Sequence, residues 1–205
     1  MPVISYGLMA MIVVISLMAF QRSEWFNALC SWPYEMVREK QWYRMLSSGF
    51  IHADFGHLFF NMFTFFFFGP IVESYFNILI PGFGKLVFLL FFLMAIVVAG
   101  VPDAWKHRDD YGYHAVGASG GISAVLFASI IFDPWERIGF LFPGLEIPGI
   151  FFAPLYILFS FYMSRSGRDN IGHMAHITGG IFGFIFPFLI RPGLLIYFFN
   201  NLFMR

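Results

Sequence analysis

The chain has 205 residues, of which 59% are hydrophobic and 12% are charged, against about 25% charged residues in an average soluble domain. A soluble fold of this length could not bury so much apolar surface, so the composition indicates a protein whose solvent is lipid. The formal net charge is zero and no basic run suggests nucleic acid, while the single cysteine, Cys30, excludes an internal disulfide and any multi-cysteine metal site.

Six apolar segments follow in chain order, and most are long enough to cross about 30 Å of hydrocarbon. The first lacks a positively charged start, so we interpret it as a retained helix and not as a cleaved signal. The segments are approximately Ile4–Phe20, His57–Ile78, Leu86–Trp105, Gly117–Phe132, Ile147–Met163 and Ile171–Ile190. We therefore expect an all-α membrane protein, a six-transmembrane-helix bundle that forms a single domain over residues 1–205, with the lipid bilayer as its surroundings.

The longest polar stretch lies between the first two segments, over residues 21–54. It contains Trp25, Trp32, Trp42 and Tyr43 among its charges, a composition typical of a loop in the headgroup zone. The C-terminal sequence LLIYFFNNLF fits either an interfacial helix or the end of the last spanning helix.

Polar groups inside spanning helices are costly, so each one is a candidate for function. In the second segment His57 and Asn61 are four residues apart, hence on one helix face, and His52 precedes them in the loop. Alone, such a pair is typical of interhelical hydrogen bonding.

The fourth segment begins with Gly117, Ala118, Ser119 and Gly120, a run of small residues in a chain otherwise dense with phenylalanine. Alone, the run is typical of close packing between helices. GASGG also matches G-x-S-x-G of the α/β-hydrolases, but that motif needs a preceding strand and a sheet beneath it. Here a polar loop precedes it, so we consider that match accidental.

The sixth segment carries a stripe of Gly172, His176, Gly180 and Gly183. Glycine allows helix backbones to approach closely, so we expect this face to pack against residues 117–124 of the fourth segment. That packing would bring the imidazole of the stripe towards the serine hydroxyl. His173, three residues before His176, is expected to point off this face.

The pairing suggests chemistry, because a serine hydroxyl is a poor nucleophile until an adjacent base accepts its proton. Ser119 also starts its helix, where unpaired N–H groups and the helix dipole favour a developing oxyanion. Asn61 and His57 are further donors to that oxyanion. Sixteen residues span about 24 Å, which would recess Ser119 roughly 6 Å below its membrane surface in a hydrated cavity.

Three motifs, HADFGHLFFN, GASGGISA and AHITGG, occur on the second, fourth and sixth segments and resemble those of the rhomboid family of intramembrane serine proteases. The resemblance implies Ser119 as nucleophile, His176 as general base, and Asn61 and His57 at the oxyanion site. It implies a peptidase that cleaves transmembrane proteins in or near their spans, with no cofactor, no metal and no nucleic-acid partner.

The resemblance also implies structural residues. Arg44 is similar to the arginine of the family's first-loop Trp-Arg pair, and Glu73, in GPIVE, is similar to a glutamate expected to act as a hydrogen-bonding brace. Ser123 departs from the pattern, since some members carry an aromatic there that stacks on the catalytic histidine. The glycines that would support the site are Gly117, Gly120 and Gly180.

The family topology implies a multi-pass protein of a bacterial inner membrane with a cytoplasmic N-terminus. Of the twelve Lys and Arg residues, eight would then lie outside, which is the reverse of the positive-inside rule. Those eight are Arg22, Arg38, Lys40, Arg44, Lys106, Arg108, Arg165 and Arg168. We expect the family orientation, with the first loop embedded in the interface.

Two other classes fit parts of the sequence. A catalytically inactive rhomboid relative would bind membrane proteins or act in their quality control, although it would be expected to lack Ser119 or His176. A metal-handling transporter would use the six histidines, although no carboxylate is interleaved with them. For substrate entry we expect a lateral gate at the fifth segment and its following loop, which contain Pro154 and many aromatic rings.

Overall fold

The computed structural model describes residues 1–139, 146–166 and 172–204. Two very short strands, β1 (Arg137–Ile138) and β2 (Ile147–Pro148), form an antiparallel pair, and a 3-10 turn covers Ser48–Phe50. The α-helices are α1 Ile4–Gln21, α2 Ser23–Leu29, α3 Pro33–Arg38, α4 Arg44–Ser47, α5 Phe55–Leu79, α6 Gly84–Lys106, α7 Ser119–Phe132, α8 Gly149–Ser166, α9 His173–Ile190 and α10 Leu194–Phe203.

The expected all-α membrane bundle is confirmed in its class. Within the described residues four helices, α1, α5, α6 and α9, are long and apolar enough to cross a membrane. The apolar helices α7 and α8 are shorter in their described parts, so the count of six spans stays a prediction. The 14 residues of α7 give about 21 Å at 1.5 Å per residue.

Helix starts follow from local capping. Helix α5 begins at Phe55 because the Asp54 side chain accepts a hydrogen bond of 2.7 Å from the backbone N–H of His57, which satisfies one of the unpaired N–H groups of the first turn. The helix continues through Pro70, where the Ser74 hydroxyl donates to the Pro70 carbonyl at 2.7 Å. This is the common bond of a serine hydroxyl to the carbonyl four residues earlier in the same helix.

The centre of the bundle is α7, which packs against α5, α6 and α9. Twelve of its 14 residues are buried, so α7 is apolar or small on every side and has no polar face. Beside it, α5 and α6 build a core of fully buried rings; these are Phe65, Phe76, Phe88, Phe91 and Phe92.

Helices α1 and α5 run antiparallel, and they define the two ends of the bundle. Ser5 contacts Glu73 near one end, whereas Ser16 contacts His52 near the other. The second end, where α7 starts, also contains the first loop and the loop of residues 107–118. The strand pair and α10 lie at the opposite end, where Trp135 donates to the Asn201 carbonyl at 3.1 Å.

Helices α7 and α9 are in backbone contact, as the glycine stripe predicts. A Cβ atom on Gly179 would overlap the carbonyl oxygen of Gly120, and one on Gly183 would overlap that of Ala124. The line of closest backbone approach differs from the expected one, because it includes Gly179 and not Gly180. The ideal Cβ position of Gly180 is instead 3.2 Å from the ring of Phe127 in α7. Only glycine at positions 179 and 183 allows this approach.

Gly183→Ala is expected to destabilise the protein by about 1–3 kcal/mol, the usual cost of overpacking, because its methyl group must push α7 and α9 apart. Gly100→Ala is the matched control, since nothing lies within 4 Å of its ideal Cβ position in α6. It should be neutral or stabilising by up to about 1 kcal/mol. Thermal unfolding of both variants in detergent measures this, and equal melting temperatures would contradict the packing argument.

Candidate active site

Ser119 is the first residue of α7 and is half-buried, between the buried Ala118 and Gly120. The backbone reaches it through Gly117, which has a φ of +117°, a conformation that side chains other than hydrogen disfavour. The Gly117 N–H donates to the Ser48 carbonyl at 2.9 Å. The serine is therefore presented at a helix N-terminus by a loop that the 3-10 turn holds in place.

The same loop is attached to the first loop at a second point. Ser31 and Ala115 exchange two backbone hydrogen bonds, of 2.9 and 3.0 Å. The Trp32 indole donates to the Tyr111 carbonyl at 3.0 Å and lies 4.6 Å from the His114 ring. The two polar loops at this end of the bundle thus form one connected layer over the start of α7.

The first turns of α7 and α9 lie against each other. The ideal Cβ position of Gly120 is 3.2 Å from the Ala175 carbonyl oxygen, and the Gly120 backbone contacts Gly179 one helical turn further along α9. Ser119 and His176 are the chain neighbours of Gly120 and Ala175. The two predicted residues therefore belong to adjoining turns of the two helices.

The His176 ring stacks on Tyr156 of α8, with 6.0 Å between ring centroids and 25° between planes. The Tyr156 hydroxyl is 2.9 Å from the Ser123 hydroxyl of α7. Sequence reasoning missed Tyr156, although the absence of an aromatic at position 123 was a signal that the ring would have to come from elsewhere.

His173 lies beside α8, and its expected direction, off the face that packs on α7, stays a prediction. It is buried, and its ring lies 5.8 Å from that of His176 in an edge-to-face arrangement. The Phe159 ring of α8 lies 6.3 Å away on another side. Two histidines of α9 thus share the space between α8 and α9.

On the α5 side, His57 lies against the loop before Ser119. Its Nε2 atom is 2.8 Å from the ideal Cβ position of Gly117, so only glycine fits there. Asn61 is buried one turn further along α5 and donates to the His57 carbonyl at 3.1 Å. An amide nitrogen carries two hydrogens, so Asn61 has a second one to donate.

His52 supports His57 from behind. The rings meet edge to face at 4.9 Å, and the Nδ1 atom of His52 is 2.9 Å from the Ser16 hydroxyl of α1. Burial, with a smaller contribution from His57, lowers the pKa of His52 to about 3. A neutral His52 packs against His57 without adding a positive charge beside the site.

Arg44 braces the first loop. Its guanidinium is buried and donates to the carbonyls of Asn27 at 2.7 Å and Cys30 at 3.0 Å. It also lies 5.9 Å from the Trp32 ring and 5.5 Å from the Tyr43 ring, so both aromatic residues make cation–π contacts with the arginine. The arginine thus ties α2 to α4.

Glu73 joins α5 to α1. Its carboxylate accepts from the backbone N–H groups of Val3 at 2.9 Å, Ile4 at 3.1 Å and Ser5 at 2.8 Å. It also accepts from the Ser5 hydroxyl at 2.8 Å. Glu73 therefore fills the role of a cap for α1, although it is supplied by another helix.

A metal-handling transporter, the alternative that the histidines suggest, needs several ligating side chains grouped around one ion. Across residues 1–139, 146–166 and 172–204, no three His, Cys, Asp or Glu side chains are grouped so as to hold a metal ion.

Comparison with known proteins identifies the class. Residues 39–193, well over half of the chain, match the Rhomboid domain family, so the chain belongs to the rhomboid family. It is 31% identical over 156 residues to YdcA of Bacillus subtilis (strain 168), which is named as a candidate rhomboid protease; the match covers 75% of this chain and 69% of YdcA. It is 25% identical over 162 residues to the rhomboid protease GlpG of Haemophilus influenzae, with 78% of this chain and 76% of GlpG covered.

Family membership and these relatives support an intramembrane protease, and the apolar helices make it an integral, multi-pass membrane protein.

Gly117→Ala tests the backbone that presents Ser119. It should destabilise the protein by about 1–3 kcal/mol, the cost of a strained backbone conformation, because the methyl group also meets the His57 ring. The matched control is Gly112→Ala in the same loop, where the new Cβ meets only Asp110 at 3.5 Å. A control effect within about 0.5 kcal/mol is expected; similar losses in both variants would show that position 117 has no special requirement.

Proposed function

We propose that the protein is a serine endopeptidase that hydrolyses peptide bonds in or near the transmembrane segments of other membrane proteins. Ser119 is the nucleophile and His176 the general base. The observation that carries this proposal is the backbone contact of Gly120 with Ala175 and Gly179. This contact packs the turn of α7 that begins at Ser119 against the turn of α9 that contains His176.

The reaction follows the general course of serine hydrolysis. The Ser119 Oγ attacks the scissile carbonyl carbon while His176 accepts the hydroxyl proton. The tetrahedral intermediate collapses, His176 returns the proton to the leaving amine, and the substrate acyl group remains as an ester on Ser119. Water, deprotonated by the same imidazole, then hydrolyses the ester and restores the hydroxyl.

The oxyanion has three proposed donors. The backbone N–H of Ser119 opens α7, where the helix dipole favours negative charge. Asn61 offers its second amide hydrogen, and His57 is held beside Gly117. Removing one such donor typically costs about 10²–10³ in kcat.

Water reaches the site from the loop layer. Helix α7 is shorter than about 30 Å of hydrocarbon, so a serine at its start is recessed below the polar loops of residues 21–54 and 107–118. Those loops provide the hydrated surroundings that irregular backbone needs at this depth.

Substrates are proposed to enter laterally beside α8. An apolar cavity of about 280 Å³ separates part of α8 from α7 and α9, lined by residues that include Phe127, Pro154 and Phe184. A spanning helix hides its carbonyls in i→i−4 hydrogen bonds, so a substrate with Gly or Pro near the cleavage site unwinds more readily. Residues 167–171, the other half of the expected gate, lie outside the described residues.

We propose that the protein lies in a bacterial inner membrane, with its N-terminus in the cytoplasm and Ser119 accessible from the exterior side. A Gly112→Cys variant tests this, because Gly112 is exposed in the loop before α7 whereas the native Cys30 is buried. Labelling by an impermeant thiol reagent in intact cells is expected; labelling only after lysis would reverse the orientation.

The proposed dyad can be tested by replacing each of its two residues with alanine. Ser119→Ala and His176→Ala should each abolish cleavage of single-span membrane proteins and labelling by a fluorophosphonate probe. The double variant should lose little more than either single one, because residues acting as a unit are non-additive.

Matched controls for the dyad are Ser129→Ala, further along α7, and His114→Ala, an exposed loop residue. Both should stay active. Activity retained without Ser119 or His176 would overturn the assignment, and an unlabelled wild-type chain would favour a non-catalytic relative.

The entry proposal predicts that Phe159→Ala raises the initial rate of substrate cleavage while lowering the melting temperature. The Phe159 ring is 59% exposed and lies against His173, so trimming it opens the edge of the site. Phe199→Ala on α10, 47% exposed at the other end of the bundle, is the control and should leave the rate unchanged. If the cleavage rate of Phe159→Ala instead falls together with its melting temperature, α8 is not the route of substrate entry.

A further inference from the structure

Tyr156 of α8 contacts both helices of the proposed dyad. Its ring stacks on His176 of α9, and its hydroxyl hydrogen-bonds with Ser123 of α7. The ring is further flanked by Phe152 at 5.6 Å and Phe127 at 5.7 Å.

We propose that Tyr156 is the positioning residue for His176, holding the imidazole plane in the orientation needed to accept the Ser119 proton. This inference rests on the proposed function and concerns a residue that does not itself touch the reacting atoms.

The geometry fixes the tyrosine at two places. The hydrogen bond to Ser123 anchors the hydroxyl end, and the flanking rings confine the ring plane. The torsion that rotates an imidazole about its Cβ–Cγ bond has broad preferences, so His176 needs a neighbour of defined orientation. A ring stacked at 25° supplies one.

Ser123 explains why the ring comes from α8. Position 123 lies one turn after Ser119 and is buried with a small side chain, which leaves space beside His176. A tyrosine 33 residues later in the chain fills that space and uses the serine hydroxyl as its anchor. Ser123 and Tyr156 therefore act as a pair: the serine leaves the space and anchors the hydroxyl, and the tyrosine supplies the ring.

The experiment uses the full chain in detergent and compares three variants. Tyr156→Leu removes the ring, and Tyr156→Phe keeps the ring and removes the hydroxyl. Phe198→Leu is the control, because it removes a buried ring of α10 that packs on Phe184 and Phe188 at the other end of the bundle. The readouts are the rate of fluorophosphonate labelling of Ser119, kcat and KM for a single-span substrate, and the melting temperature.

Tyr156→Leu should lower the labelling rate and kcat by about three- to tenfold with little change in KM, the effect expected from losing an aromatic contact. Tyr156→Phe should retain most of the rate. Phe198→Leu should keep the wild-type labelling rate at a comparable fall in melting temperature, which separates positioning from packing.

A fourth variant exchanges the two residues, combining Ser123→Tyr with Tyr156→Ser. It moves the ring from α8 to α7 and should restore labelling above the level of Tyr156→Leu. Failure to do so, at a melting temperature no lower than that of Tyr156→Leu, would overturn the proposed pairing of the two positions.

If Tyr156→Leu labels as fast as the wild type, or loses rate only as Phe198→Leu does, the positioning role is overturned while the proposed function stands. An unreactive Ser119 in the wild-type chain would instead overturn the proposed function, and the positioning role with it.

Discussion

The fold depends on one contact, the meeting of the α7 and α9 backbones at Gly120, Gly179 and Gly183. In lipid, apolar side chains gain nothing by leaving solvent, so helix association relies on close packing and interhelical hydrogen bonds. A chain with 31 phenylalanines can make such a contact only where it has almost no side chains. Bulky rings pack around α7 elsewhere, and the proposed chemistry lies beside this contact.

Helix positions could be predicted from the sequence because lipid enforces long apolar segments between polar loops. The errors at helix starts have local causes. Helix α7 starts two residues later than expected because Gly117 has a positive φ, and α5 starts two residues earlier than His57 because Asp54 caps it. The short helices α2, α3 and α4 escaped notice, since each is at most seven residues long and no apolar periodicity marks them.

Helix faces were harder to predict than helix positions. On α9 the stripe identified the partner helix, but the closest backbone approach to α7 is at Gly179 and Gly183, whereas Gly180 faces the Phe127 side chain of α7. On α8 every side is apolar, so no pattern distinguishes the face of Tyr156 from that of its neighbours. For His173, the spacing from His176 predicts a direction off the α7 face, but its neighbours in that direction, such as Phe159, depend on the location of α8.

The contact between Glu73 and the start of α1 constrains how the protein is assembled. The carboxylate lies 70 residues after the first N–H group that it accepts from, so α1 is synthesised long before its cap exists. Unsatisfied N–H groups cost several kcal/mol in hydrocarbon, and a buried carboxylate without donors is also costly. We therefore expect the start of α1 to keep its contact with water until α5 has entered the membrane, so that the two helices complete their insertion together.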